Sequence, residues 1–167
     1  MLYFIFAMWA GMIGSSISII IRTELGTPNS FINMHEIYNS PLTTHASMTI
    51  FFMVTPFMIG GFPDTLIPFP LGAPDKMFPR IHDMSFRLLP PSTQMMFLRN
   101  FLDYGLGTGW PMDHPMSPNL FHNGQTVDLT IFMHHIAGIS YIMGAINFIS
   151  TIINMFNPNM KFEQLSL

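Results

Sequence analysis

Apolar residues along this chain gather into four runs, Met1–Ile21, Pro41–Phe62, Met84–Leu102 and Val127–Met155, separated by polar stretches rich in proline and glycine. A helix rises ~1.5 Å per residue, so about 20 apolar residues cross the hydrocarbon core of a bilayer. The first two runs carry no charged residue and the fourth only Asp128. The third is the weakest, with Arg87, Gln94, Arg99 and a Pro90-Pro91 pair. Its two arginines lie near the ends, where snorkelling to the headgroups reduces the cost of a buried charge. The pattern predicts an all-α membrane protein, one transmembrane unit over residues 1–167 with helices at about 2–22, 41–62, 84–102 and 127–155. No basic segment precedes the first run and no small-residue cleavage site follows it, so it reads as a mature span rather than a signal peptide. Pro56 removes a backbone donor within the second span and predicts a kink near Phe52. Five prolines (63, 68, 70, 74 and 79) make residues 63–83 a structured interfacial loop rather than a helix. A second long loop, 103–126, holds Trp110 at a membrane interface.

Composition agrees with a bilayer as the solvent. Only 9% of the 167 residues are charged, where a soluble domain has about 25%. With no cysteine, thiolate metal sites and cysteine nucleophiles are excluded, leaving histidine and oxygen ligands. A net charge of -3 without a basic run excludes a surface that tracks a phosphate backbone, so nucleic acid is not an expected partner. The 17 Met and 17 Phe read as compositional bias of the encoding genome. With the N-terminus inside, Lys76, Arg80, Arg87 and Lys161 lie toward the inner side and Arg22 and Arg99 toward the outer. That orientation puts Arg22, His45 and the Trp110 loop at the outer face and Asp75 at the inner one.

Candidate chemistry is concentrated in a few polar groups. His45 is the one ionisable residue of the second span, and such a group within a membrane helix marks a functional site or an interhelical hydrogen bond. Ala7, Gly11 and Ser15, and likewise Gly14 and Ser18, recur at four-residue steps along the first helix, where small side chains admit another backbone or a flat ligand. Arg22 closes that helix, and an arginine there ordinarily snorkels. His134 and His135 are adjacent, so they point about 100° apart and do not form a metal pair. One of them is expected to face a neighbouring helix. Ser140, Tyr141, Asn147, Ser150 and Thr151 either hold helices together or line a water-bearing path.

The runs LYFIFAMWAGMIGSS, IIRTELGTP, TTHASMTIFFMV, PFMIGGF, LGAPDKMFPR, MSFRLLPPS, GTGWP, VDLTIF and MGAINFISTIINM occur in this order from Leu2 to Met155. They closely resemble the haem-copper oxidases, specifically subunit I of the mitochondrial kind of cytochrome c oxidase. The resemblance covers only the first third of that subunit, four helices of a twelve-helix bundle, and lacks the short segment before the first helix. It implies that His45 is an axial ligand of the low-spin haem a and that Arg22 hydrogen-bonds the haem formyl group. Gly11, Ser15 and Ser18 match positions along the haem, Tyr38 and Trp110 other haem-side positions, with Trp110 near the propionates. Glu24 matches a carboxylate of a peripheral sodium or calcium site.

On the inner side, the resemblance makes Asp75 the carboxylate at the mouth of a proton-uptake path, with Ser140 and Asn147 further along it. Departures from the family cluster here: Asp64 and His82 stand where gating asparagines are usual, Tyr141 where a serine is, and Arg87 where a tryptophan is. Haem a3, copper B and the opposite ligand of haem a belong to later helices in that family. The implied partners are therefore a second chain carrying the rest of a naturally split subunit I, subunits II and III, and cytochrome c. The implied setting is the mitochondrial inner membrane, multi-pass, with both termini on the matrix side. Two rival readings are a fragment of a quinol oxidase subunit I and a haem-free membrane scaffold or transporter fragment in which His45 only joins helices.

Overall fold

The computed structural model describes residues 1–26, 28, 32, 34–102 and 125–155. Helix α1 spans Leu2–Gly26 and α2 spans His35–Ser47. The chain continues from α2 without a break through two π-helical stretches, Met48–Val54 and Pro56–Gly61, into α3 at Phe62–Leu66 and α4 at Pro68–Leu71. Helix α5 runs from Pro79 to Phe101 and α6 from Thr126 to Asn154.

The second helical rod is longer than the apolar pattern predicts and is not kinked into a loop by its prolines. Pro56 is accommodated by widening the helix to i→i+5 hydrogen bonds, as in the Thr55 N–H to Ile50 carbonyl bond. Pro63, Pro68 and Pro70 are carried within the same helical backbone. Helical backbone therefore reaches Leu71, well into the stretch expected as a loop. Gly72 ends it at φ 64°, a left-handed conformation in which a side chain is strained. The third predicted helix also begins earlier than the expected residue 84, at Pro79, whose fixed φ suits the first helical position.

Among the described residues three helices are long and apolar enough to cross a membrane: Leu2–Gly26, Ile37–Leu71 and Thr126–Asn154. The expected fourth, α5, has 23 residues, about 34 Å at ~1.5 Å per residue, but is too polar to qualify by length and composition. Part of its polarity points inward, while Arg80, Asp83, Arg87 and Gln94 lie exposed. Ser85, Leu89, Ser92, Met96 and Arg99, spaced alternately four and three apart, form its buried stripe. They face the matching stripe Thr130, Met133, Ala137, Ser140, Gly144, Asn147 and Thr151 of α6. This alternation is the period of two helices packed side by side at a shallow angle. Ser92 Oγ donates to the Met133 carbonyl at 2.7 Å, and Ser85 and Ser140 each donate to the other's carbonyl, at 2.8 and 2.5 Å.

Helix α1 lies against the long second rod. A Cβ on Gly14 would stand 2.8 Å from Thr49 Cγ2, and one on Gly60 2.2 Å from the Tyr3 ring, so each glycine admits a side chain of the opposite helix. The buried face of α1 is Tyr3, Ala7, Ala10, Gly11, Gly14 and Ile21, which leaves Ser15 exposed. Four-residue steps drift about 40° each around a helix, so the Ala7–Gly11–Ser15 series turns away from its neighbour. Ala10, Met48, Phe52, Met96, Met133 and Ala137 form the apolar centre where the helices meet. Large apolar residues such as Ile5, Met12, Ile139, Ile146 and Ile153 cover the outside, the inverse of a water-soluble bundle.

Candidate functional site

His45 is set by the contact between α1 and α2. Its Nδ1 lies 2.8 Å from the Gly14 carbonyl, which makes Nδ1 the protonated nitrogen because a carbonyl only accepts. Gly14 permits this approach by having no side chain between the two backbones. The ring is half-buried, and Nε2, the lone-pair nitrogen of this tautomer, has no hydrogen-bond partner among the described residues. A second-row carbonyl that fixes tautomer and ring angle is what a metal-ligating imidazole needs. The donor set thus fits a haem iron approached through Nε2.

The residues singled out beside His45 lie around it in different ways. Gly11, Ser15, Ser18 and Arg22 share one sector of α1, within about 60° of each other at 100° per residue, next to Gly14. Gly11 is packed on Met53, Ser18 is half-buried and donates to the Ser15 carbonyl, and Ser15 and Arg22 are exposed. Arg22 has no hydrogen-bond or ion-pair partner among the described residues. Tyr38 is half-buried one helical turn into α2. Glu24 Oε2 accepts the Ile32 N–H at 3.0 Å. No group of three or more His, Asp or Glu placed to hold a metal exists among the described residues. Trp110 lies outside the described residues.

One residue beside this site was misplaced by its pattern. Arg99, expected to snorkel, is fully buried between α2, α5 and α6. Its Nη1 donates to Thr130 Oγ1 at 3.1 Å and its Nη2 lies 3.4 Å from Thr44 Oγ1, while Nε has no partner. The seven-residue spacing Ser85–Ser92–Arg99 was the available signal, since it puts the arginine on the face that packs against α6.

At the opposite end of the bundle a second set of predicted residues comes together. Asp64 Oδ1 is 2.6 Å from Lys76 Nζ and 2.9 Å from His82 Nε2, all three largely buried. The His82 ring is enclosed by Tyr3 and Phe148, and its Nδ1 is buried without a partner. A bare Nδ1 lone pair tolerates this better than an N–H, so the neutral Nε2–H tautomer donating to Asp64 suits the site. Asp75 is exposed in the adjoining loop, with Oδ1 accepting the Lys76 N–H at 2.7 Å. Asn147 grips the same loop: its Oδ1 accepts the Phe78 N–H and its Nδ2 donates to the Phe78 carbonyl, both at 3.0 Å, while Thr151 accepts the Met77 N–H. Tyr3, His82, Ser85, Ser140 and Tyr141 border one narrow enclosed void between the helices. Tyr3 Oη and Ser85 Oγ are 2.7 Å apart, and the Tyr141 hydroxyl donates to the Phe51 carbonyl. His134 Nδ1 bonds the Thr130 carbonyl and its ring meets Phe51 edge-on, while His135 is exposed.

The family model described as cytochrome c and quinol oxidase polypeptide I matches residues 1–167. The chain is 44% identical over 168 residues to cytochrome c oxidase subunit 1 of Yarrowia lipolytica, covering 99% of this chain and 31% of that protein. It is 39% identical over 163 residues to cytochrome c oxidase subunit 1 of Pecten maximus, covering 97% of this chain and 34% of that protein. It therefore spans about a third of the length of these curated relatives. With a collinear match over its whole length, the chain belongs to the cytochrome c and quinol oxidase polypeptide I family.

Proposed function

We propose that this chain forms part of subunit I of a proton-translocating cytochrome c oxidase of the mitochondrial inner membrane, in which His45 is one axial ligand of the low-spin haem a. The observation that carries this reading is the His45 Nδ1 bond to the Gly14 carbonyl, which leaves Nε2 as a free lone pair at a fixed height on the helix. The haem, when bound, supplies one-electron redox chemistry. The α1 sector of Gly11, Ser15, Ser18 and Arg22 adjoins Gly14, which suits a flat ring lying along that helix with Arg22 donating to a polar substituent at its edge. A buried hydrogen bond of that kind draws electron density from the ring and raises its potential. Tyr38 and Trp110 belong to the same haem surroundings in this reading.

Helix α5 is the fourth membrane span, its buried serines satisfied inside the bundle by α6. Asp75 is the proton-collecting carboxylate at the inner mouth, followed by the Asp64–Lys76–His82 cluster, Asn147 and Ser140. Haem a3, copper B, the second ligand of haem a and contacts with subunits II and III and with cytochrome c lie outside these residues. In the purified complex, His45→Ala is expected to abolish the low-spin haem absorbance while the complex still assembles. An unchanged low-spin band would leave His45 as an interhelical contact and sink the reading. Turnover with cytochrome c rather than a quinol separates it from the quinol-oxidase alternative.

A further inference from the structure

Arg99 is the largest fully buried side chain among the described residues, and it carries a full charge, since a guanidinium stays protonated in proteins. Around it from α5 is Asn100, from α2 are Ser40 and Thr44, and from α6 is Thr130. These are neutral hydroxyls and an amide, and no carboxylate is within ion-pair reach of Arg99 among the described residues. The polar groups around it are already engaged with each other: Ser40 and Thr44 both donate to Asn100 Oδ1 at 3.0 Å, and Thr130 donates to the Thr126 carbonyl. An unpaired cation so enclosed keeps a long-range field, because no counter-charge among the described residues screens it.

We propose that Arg99 sets the reduction potential of the redox group held at His45. This rests on the haem reading above. Thr44, which Arg99 Nη2 approaches, immediately precedes His45 on α2, so the charge sits within the same turn of helix as the ligand. Ferric iron carries one more positive charge than ferrous iron. A fixed cation nearby in a low-dielectric surround disfavours the ferric form more, and so raises the potential. Neutral Thr44 and Thr130 hold the guanidinium in place without cancelling this effect, whereas a carboxylate partner would.

The test is a spectroelectrochemical titration of the low-spin haem in the intact oxidase complex. Arg99→Gln, which keeps hydrogen-bonding capacity and removes the charge, is expected to lower the midpoint potential, and Arg99→Lys to retain it. An unchanged potential in Arg99→Gln with the haem bound overturns the proposal, because a purely structural role would alter thermal stability and leave the potential in place. Should Arg99→Gln fail to assemble, Thr130→Asp sets a carboxylate beside the retained guanidinium. Cancellation then lowers the potential, and an unchanged value overturns the proposal. A low-spin haem that survives His45→Ala would count against the haem reading instead, so the two failures are told apart.

Discussion

Asn147 acts as a piece of backbone that α6 extends to a loop with none of its own to pair with. Its amide both gives to and takes from Phe78, the arrangement of two facing peptide groups, at full burial. Asn147→Leu keeps the volume and removes both bonds, leaving the Phe78 N–H unpaired in the interior while the Phe78 carbonyl keeps the His82 N–H. The expected cost is about 1–3 kcal/mol, read as a lower thermal transition of the solubilised complex and faster hydrogen exchange at the Phe78 amide. From the chain alone Asn147 was either helix glue or part of a water path. Its spacing of seven from Ser140 identifies the inward face, but which groups wait opposite depends on where the 72–78 loop returns. His45 was legible as an unusual residue for the same reason, a polar group in an apolar run. Its tautomer was not, since the Gly14 carbonyl that sets it is 31 residues away.

Among the elements, the second rod departs furthest from its sequence pattern. A proline in the middle of a helix removes a backbone donor, and here the backbone widens around it into the i→i+5 register. In the i→i+5 register the N–H missing at Pro56 is the one that would reach the Phe51 carbonyl. The Tyr141 hydroxyl of α6 donates to that carbonyl across the interface. The tyrosine side chain is long enough to reach the second rod from α6. Tyr141→Phe is expected to cost about 1 kcal/mol in thermal stability, the scale of an interhelical hydrogen bond in membranes. Pro56→Ala restores a local N–H donor, so a double-mutant cycle should show the two changes coupled rather than additive. Additive effects would separate Tyr141 from the proline. Prolines 63, 68 and 70 read as loop markers in sequence because proline breaks a helix interior, yet helical backbone here runs through all three to Leu71.

At the scale of the molecule, polar chemistry gathers at both ends of the bundle and the apolar centre of Met48, Phe52, Met96 and Met133 separates them. At one end are His45, Arg22 and Arg99; at the other are Asp75 and the Asp64–Lys76–His82 cluster. On the proposed uptake route Asp64 and His82 add ionisable groups behind Asp75, and Lys76 neutralises Asp64 directly. Coupling is therefore expected to persist with a changed pH response. The check is the proton-to-electron ratio of the reconstituted complex: a normal ratio that is lost in Asp75→Asn supports this uptake route, and an Asp75→Asn complex that pumps like the parent sinks it.

The sequence by itself determined the solvent, the helical class, the membrane spans of α1 and α6 and the chain's kinship, because hydropathy and collinear motifs are local along the chain. It also singled out His45 as a polar group in an apolar run, and the resemblance singled out Asp64, Asp75 and His82. Only the tertiary structure decided that Lys76 pairs with Asp64, that Arg99 turns inward instead of toward the headgroups, and that the Gly14 carbonyl leaves one nitrogen of His45 free. Each of those depends on which helix faces arrive opposite one another, a relation between distant residues that no local pattern encodes.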